Sequence, residues 1–245
     1  MRAWRRRGSA LDGATPVDDR ELATTWQVAS LLLEYPTESL VAMVPMLRRS
    51  VVGLPPRLGG GLTALLDELT PARLVELQRD YVETFDVTRA CALHLTYFTL
   101  GDTRRRGVAL VELKQAYRRA GVELTADELP DYLPVVLEFG AGVDLDAAYR
   151  ILQRHRVGIE MLRLALERRS SRWLSVLDAV RETLPHLDGD GEEALRRLIE
   201  SGPPQEEVGL DLSPYAVDPR LNPRPEPYDP GAVGTVRPLT PEGSR

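Results

Sequence analysis

The stretch from Asp102 to Gly121, DTRRRGVALVELKQAYRRAG, puts three arginines into the first turn of a predicted helix. The helix macrodipole already concentrates positive charge there, so each well-placed arginine costs about 0.3–1 kcal/mol. A helix with purely structural duties would carry them at its other end. At about 100° per residue, Arg106 falls close to the line of Leu110, Leu113 and Tyr117, and its charge points along the apolar stripe. A charge so placed needs a carboxylate or an anionic ligand. Two readings follow. Either Asp86 or Glu138 neutralises Arg106 inside a bundle while Arg104 and Arg105 are solvated, or Arg104 and Arg106 form an anion- or partner-binding site at a helix N-terminus.

A second segment, TADELPDYLPVVLEF from Thr125 to Phe139, also breaks local rules. Thr125 and Glu128 have the spacing of a capping box. Pro130 and Pro134 cannot both lie inside one regular helix without a lost hydrogen bond and a clash. The simplest resolution makes Asp131 an N-cap worth about 1 kcal/mol, Tyr132 an exposed ring and Pro134 the third helical residue. The alternative is a hinge between two helical lobes that presents Asp131 and Tyr132 to a groove. Enzyme motifs are missing: there is no GxGxxG, P-loop, GxSxG or metal-ligand spacing, and Gly59-Gly60-Gly61 lacks the Lys-Ser/Thr of a phosphate loop. Cys91 precedes His94 by three residues, but a buried apolar cysteine is the better reading. His94, His155 and His186 are scattered, and each reads as a structural residue of a helix. A single cysteine excludes internal disulfides and thiolate-rich metal sites, so no metal or cofactor is expected.

The elements that must position these residues are helical. Leu22, Trp26, Ala29 and Leu33 stripe a first helix that stops before Pro36. A second spans about Thr37 to Val52; PPRLGGG reads as a loop before a short third helix from about Leu62 to Leu69. Thr70-Pro71 opens a helix striped by Leu74, Leu77, Tyr81 and Phe85. Asp102 caps the arginine-bearing helix. Asp144 caps one long helix running through Leu166, Ser171 caps another with Trp173, Leu177 and Val180, and a last short helix ends at Gly202. Some eight or nine helices make an all-α, single-domain helical bundle over 19–201, between a flexible N-terminal arm (1–18) and a disordered Pro-rich tail (202–245).

Composition agrees with this outline. Of 245 residues, 43% are hydrophobic and 28% charged, which suits a globular chain. The net charge of −6 offers no general attraction to nucleic acid or anionic lipid. No apolar run reaches the roughly 20 residues of a membrane span, and the basic start lacks the apolar core of a signal peptide, so a cytoplasmic location is expected. The tail holds 10 of the 19 prolines and shows no hydrophobic period.

YVETFDVTRACALHLTYFTLGDTRRRGVALVELKQAY followed by ELPDYLPVVLEF resembles the delta-subunit chaperone of respiratory nitrate reductase, the NarJ type within the TorD-like family of redox-enzyme maturation chaperones. Tyr81, Phe85-Asp86, Gly101-Asp102, Arg104, Arg106-Gly107 and Leu129-Pro130-Asp131 carry the likeness in order and spacing. The resemblance implies an all-α, non-enzymatic protein that binds the N-terminal segment of the apo nitrate reductase alpha subunit. It also implies help with molybdenum cofactor insertion, and admits contact with the cofactor delivery machinery. By position, the family's peptide groove involves Tyr81, Phe85, Asp131 and Tyr132. Many members carry Asp-His where this chain has Asp131-Tyr132, so no imidazole role transfers. A chaperone for another molybdoenzyme, and a nucleotide-binding protein using the Arg104-to-Arg106 helix start, are the alternative readings.

Overall fold

The computed structural model describes residues 17–125 and 128–202. Expectations for the N-terminal arm up to residue 16 and for the Pro-rich tail beyond Gly202 lie outside these residues. So does part of the Thr125–Glu128 capping box; within the described part, Glu128 N donates to the Thr125 carbonyl and no helix begins there.

Asp18 and Glu21 cap one another reciprocally, each carboxylate accepting the other's backbone N–H, and α1 (Asp19–Leu32) starts there. Leu22, Trp26, Ala29 and Leu33 are all fully buried, as their spacing predicts. Thr37 caps α2 (Glu38–Val51). The next helix, α3 (Pro56–Glu68), begins at Pro56, so the glycine run expected to be a loop is helical. Glycine costs a helix interior about 1 kcal/mol relative to alanine. Here that cost permits close approach: a Cβ on Gly61 would sit 2.3 Å from the Ser175 carbonyl oxygen of α10 (Leu174–Arg181), and one on Gly59 3.0 Å from that of Val51.

The segment after Thr70-Pro71 is wound in three ways. A 3₁₀ turn (Pro71–Arg73) leads into α4 (Leu74–Tyr81), and a π-helical turn (Val82–Asp86) follows, closed by Val87 N donating to the Val82 carbonyl at 3.0 Å. The Thr70 side chain caps nothing. After short α5 (Tyr97–Leu100) comes α6 (Arg104–Arg119), with Thr103 at its N-cap position where Asp102 was expected. Gly121, at φ +83°, closes α6. α7 (Leu133–Gly142) precedes α8 (Leu145–Arg154), which Asp144 caps through Ala147 N at 2.8 Å. The long helix expected from Asp144 breaks at His155 (φ −100°, ψ 20°), and α9 (Arg156–Arg168) continues from it. α11 (Gly189–Ser201) ends at Gly202, φ +74°.

Helix α1 lies at the centre, packed on α7 and against α3 and α10, in one core shared by residues from every helix but α11. The Trp26 indole donates to Thr183 Oγ1 at 2.9 Å and the Trp173 indole to the Leu32 carbonyl at 3.0 Å. Among the described residues no strand is present, and no helix is long and apolar enough to cross a membrane.

The glycine run supplies a paired test. Gly60 has open space around its Cβ position, so Gly60→Ala should raise the thermal midpoint by the equivalent of about 0.5–1 kcal/mol. Gly61→Ala should lower it by roughly 1–3 kcal/mol, because the obstruction is backbone and cannot swing away. Differential scanning calorimetry of the two variants reads the opposite signs.

Candidate functional site

Pro130 and Pro134 keep the Asp131 segment out of a helix until Leu133, and it lies extended against residues 93–95. Leu95 N donates to the Asp131 carbonyl at 2.9 Å and Leu133 N to the Leu93 carbonyl at 2.7 Å, a short antiparallel pairing centred on His94 and Tyr132. The alternation of an extended chain buries Leu93, Leu95, Asp131 and Leu133 and leaves His94 and Tyr132 side by side and half-covered, ring centroids 5.6 Å apart. The Tyr117 hydroxyl of α6 donates to the Pro130 carbonyl at 2.7 Å and fixes the start of the segment.

Asp131 is therefore not a helix cap. Tyr132 occupies the N-cap position of α7 without a side-chain cap, and Pro134 is in its first turn. The Asp131 side chain is 0% exposed and accepts from every side: Thr96 Oγ1 and, at 3.3 Å, Thr96 N reach Oδ2, His94 Nδ1 lies 3.3 Å from Oδ1, and Arg106 Nη2 3.5 Å from Oδ2. Burial alone would raise its pKa. Hydrogen bonds from His94 and Thr96, with the charges of His94 and Arg106, overcome burial and hold the carboxyl down to about 2.

The partner of Arg106 is thus neither Asp86 nor Glu138. Its guanidinium donates to Thr96 Oγ1 at 3.2 Å, pairs with Asp102 at 3.0 Å and reaches Asp131, with the side chain 17% exposed. Asp102 pairs with Arg106 one turn on. Both of Arg106's acidic contacts come from within the protein, so Arg106 itself is engaged as built. Arg104 and Arg105 stay exposed.

The four residues expected to line a peptide groove are brought together, but in layers. Tyr81 (5% exposed) and Phe85 (8%) lie beneath, ring centroids 4.8 Å apart, each edge-to-face with Trp173. The Tyr81 hydroxyl donates to the Leu33 carbonyl at 3.0 Å and sits 3.1 Å from the Tyr132 hydroxyl, which donates to it. Tyr132 is the member that reaches the surface. Tyr35, 43% exposed, packs edge-on against the same Tyr81 at 5.6 Å. Burial pushes the Tyr132 phenol up to about 12, and the negative charges of Glu34, Asp86 and Glu128 add to this. Partial burial, then Glu128 and Glu138, raises the Glu34 carboxyl in turn. An aromatic surface with an acidic rim results, and neither Tyr35 nor Glu34 was among the residues singled out from sequence.

The profile of the nitrate reductase delta subunit family matches residues 53–178, which contain α4, the paired segments, α6 and α7. The chain belongs to the nitrate reductase delta subunit family. The nitrate reductase-like protein NarX of Mycobacterium tuberculosis is 40% identical over 141 residues, 58% of this chain and 21% of NarX, so the chain spans about a fifth of that relative's length. The probable nitrate reductase molybdenum cofactor assembly chaperone NarJ of Bacillus subtilis is 31% identical over 179 residues, 69% of this chain and 91% of NarJ. The nitrate reductase molybdenum cofactor assembly chaperone NarJ of Escherichia coli is 32% identical over 154 residues, 62% of this chain and 65% of the relative. The Asp131 network and the Tyr81–Tyr132 contact both lie inside the delta subunit family region.

Two residues of this network escaped the sequence reading. His94 was placed in a helix, and Thr96 carried no signal; what marks both is the alternation Leu93-His94-Leu95-Thr96, too short to separate from helix by period alone.

Arg106→Ala leaves Asp131 buried beside a lost cation and should destabilise the chain by on the order of 3 kcal/mol, measured by urea unfolding. Acid titration gives an independent check. Because the folded-state pKa of Asp131 lies below its ordinary 3.8, its contribution is complete above about pH 4 and disappears as pH falls towards 2. The wild type should lose on the order of 2 kcal/mol more than Asp131→Asn over that window. At neutral pH Asp131→Asn should itself destabilise by about 1–3 kcal/mol, since its amide N–H₂ meets donors. The melting temperature of a mere cap would be preserved.

Proposed function

We propose that the protein is a chaperone, without catalytic activity of its own, that binds the N-terminal segment of the apo alpha subunit of nitrate reductase in the cytoplasm and assists molybdenum cofactor insertion and assembly. Membership of the delta subunit family and the names of the NarJ relatives support the assembly role. The observation that carries the binding step is the half-covered Tyr132–Tyr35 surface, backed by buried Tyr81 and Phe85 and rimmed by Glu34, Asp86 and Glu128. Leu129 is a further exposed apolar side chain of the same segment as Tyr132.

An amphipathic helix suits such a surface, its apolar face on the aromatic rings and its basic residues towards the rim. Tyrosine anchors supply large contact area at low entropic cost, which is why they dominate interface energetics. The buried members act differently from the exposed ones. Tyr81 holds the Tyr132 hydroxyl from below, and Asp131 fixes the backbone that carries Tyr132; as a buried, fully engaged carboxylate it does not face the leader itself.

Calorimetric titration of a synthetic alpha-subunit N-terminal peptide tests this. Tyr132→Ala should weaken binding tenfold or more, equivalent to about 1.4 kcal/mol, and Tyr35→Ala should weaken it less. Binding should weaken as salt rises, through screening of the acidic rim. Unchanged affinity in both variants would move the peptide site elsewhere on the bundle.

A further inference from the structure

Helix α6 contributes only Leu113 and Tyr117 as fully buried residues, and between it and α8 a groove of about 680 Å³ is left open. That volume lies within the roughly 300–1,000 Å³ of small-molecule sites and is small for a peptide helix. Leu113 and Ile151 form apolar lining, and Ala116 and Ala147 keep the walls apart. His155, at the break between α8 and α9, also lines it. It is 7% exposed, and neither ring nitrogen has a hydrogen-bond partner among the described residues. Burial, then Arg154, lowers its pKa to about 4, so at neutral pH it offers one donor and one acceptor, both unused. The ring nitrogens are not fully buried, so they meet solvent in the groove, where a polar group of a ligand can take the place of water.

The charged residues of the groove are unevenly matched. Arg154 pairs with Glu112 at 3.4 Å, and Asp144 accepts from Ala147 N as the α8 cap. Arg119 and Arg150, one from each wall, have no ion-pair partner among the described residues. Arginine is suited to bidentate binding of phosphate or carboxylate and to stacking on a flat ring. We propose that the α6–α8 groove binds a small organic anion, a phosphate or carboxylate carried on an apolar ring, with Arg119 and Arg150 on the anion and the His155 imidazole bonded to a polar group of the ligand. This site is distinct from the Tyr132 surface and does not depend on peptide binding there.

The test uses the full chain and four probes: 1-naphthyl phosphate, 1-naphthoate, 1-naphthol and inorganic phosphate, titrated by calorimetry, with the ¹⁵N resonances of the His155 imidazole as a local reporter. At least one ring-bearing anion should bind at least tenfold tighter than 1-naphthol and than inorganic phosphate, and should move the His155 resonances. The tighter of the two ring-bearing anions shows whether phosphate or carboxylate is preferred. The double variant Arg119→Ala/Arg150→Ala should lose tenfold or more for that anion with little change in melting temperature, since both side chains are exposed. Ala147→Leu should block the apolar wall. Peptide affinity should be unchanged in the arginine variant, which separates failure here from failure of the chaperone reading. Equal binding of 1-naphthol overturns the anion requirement, and equal binding of inorganic phosphate overturns the ring. An absence of binding by both ring-bearing anions, or binding that ignores the arginine pair and leaves His155 unmoved, overturns the site.

Discussion

One buried negative charge organises the middle of this chain. An isolated carboxylate in a protein interior is prohibitively unfavourable, and Asp131 is tolerated because hydrogen bonds and positive charge converge on it. Those donors come from the loop at His94 and Thr96 and from the start of α6. The carboxylate thus ties three stretches that share no helix. It also explains Arg106: a cation at the positive end of a helix is unfavourable locally, but its partners are Thr96, Asp102 and Asp131. With the backbone pinned on both sides of Tyr132, that ring can be held half-exposed over the buried aromatic layer without a helix of its own to carry it.

The all-helical character and the core stripes were legible in the sequence because a 3.6-residue apolar period survives in almost every segment. Asp144 and Gly202 were legible because caps are local devices. Two of the readings that failed were local rules overridden from a distance. Asp131 before a proline-bearing helix looks like a cap, but its ligands lie 35 and 25 residues away in sequence. The glycine run looks like a loop until Ser175 of α10 is seen against it. The apolar period runs unbroken through His155, so nothing in it announces that α8 and α9 are separate. For the candidate site, the misplaced charge of Arg106 was visible and its partners were not. The structure brings Tyr81, Phe85 and Tyr132 together, but their layering, with Tyr81 and Phe85 packed on Trp173, is set by tertiary contacts that no local pattern announces.

The division between buried and exposed aromatics sets what substitutions can reveal. Tyr81 touches Tyr35, Phe85, Trp173 and the Leu33 carbonyl, so its loss perturbs the core and the surface together. Tyr132 has a half-exposed ring and one hydroxyl contact to the core, so its loss reports on the surface. Effects of residues in direct contact are not additive, and the Tyr81–Tyr132 pair is one unit in that sense.

The end of α1 carries a consequence of its own. Its last carbonyls face two aromatic donors, Trp173 Nε1 on Leu32 and the Tyr81 hydroxyl on Leu33. A helix C-terminus holds roughly half a negative charge, made of peptide dipoles that no proton can titrate. That fixed charge ends beneath the same tyrosines that Glu34, Asp86 and Glu128 surround. Acidification can discharge the Glu34 carboxyl, which burial already raises, but it cannot erase the backbone's share of the field, so the surface around Tyr132 keeps a residual preference for cations.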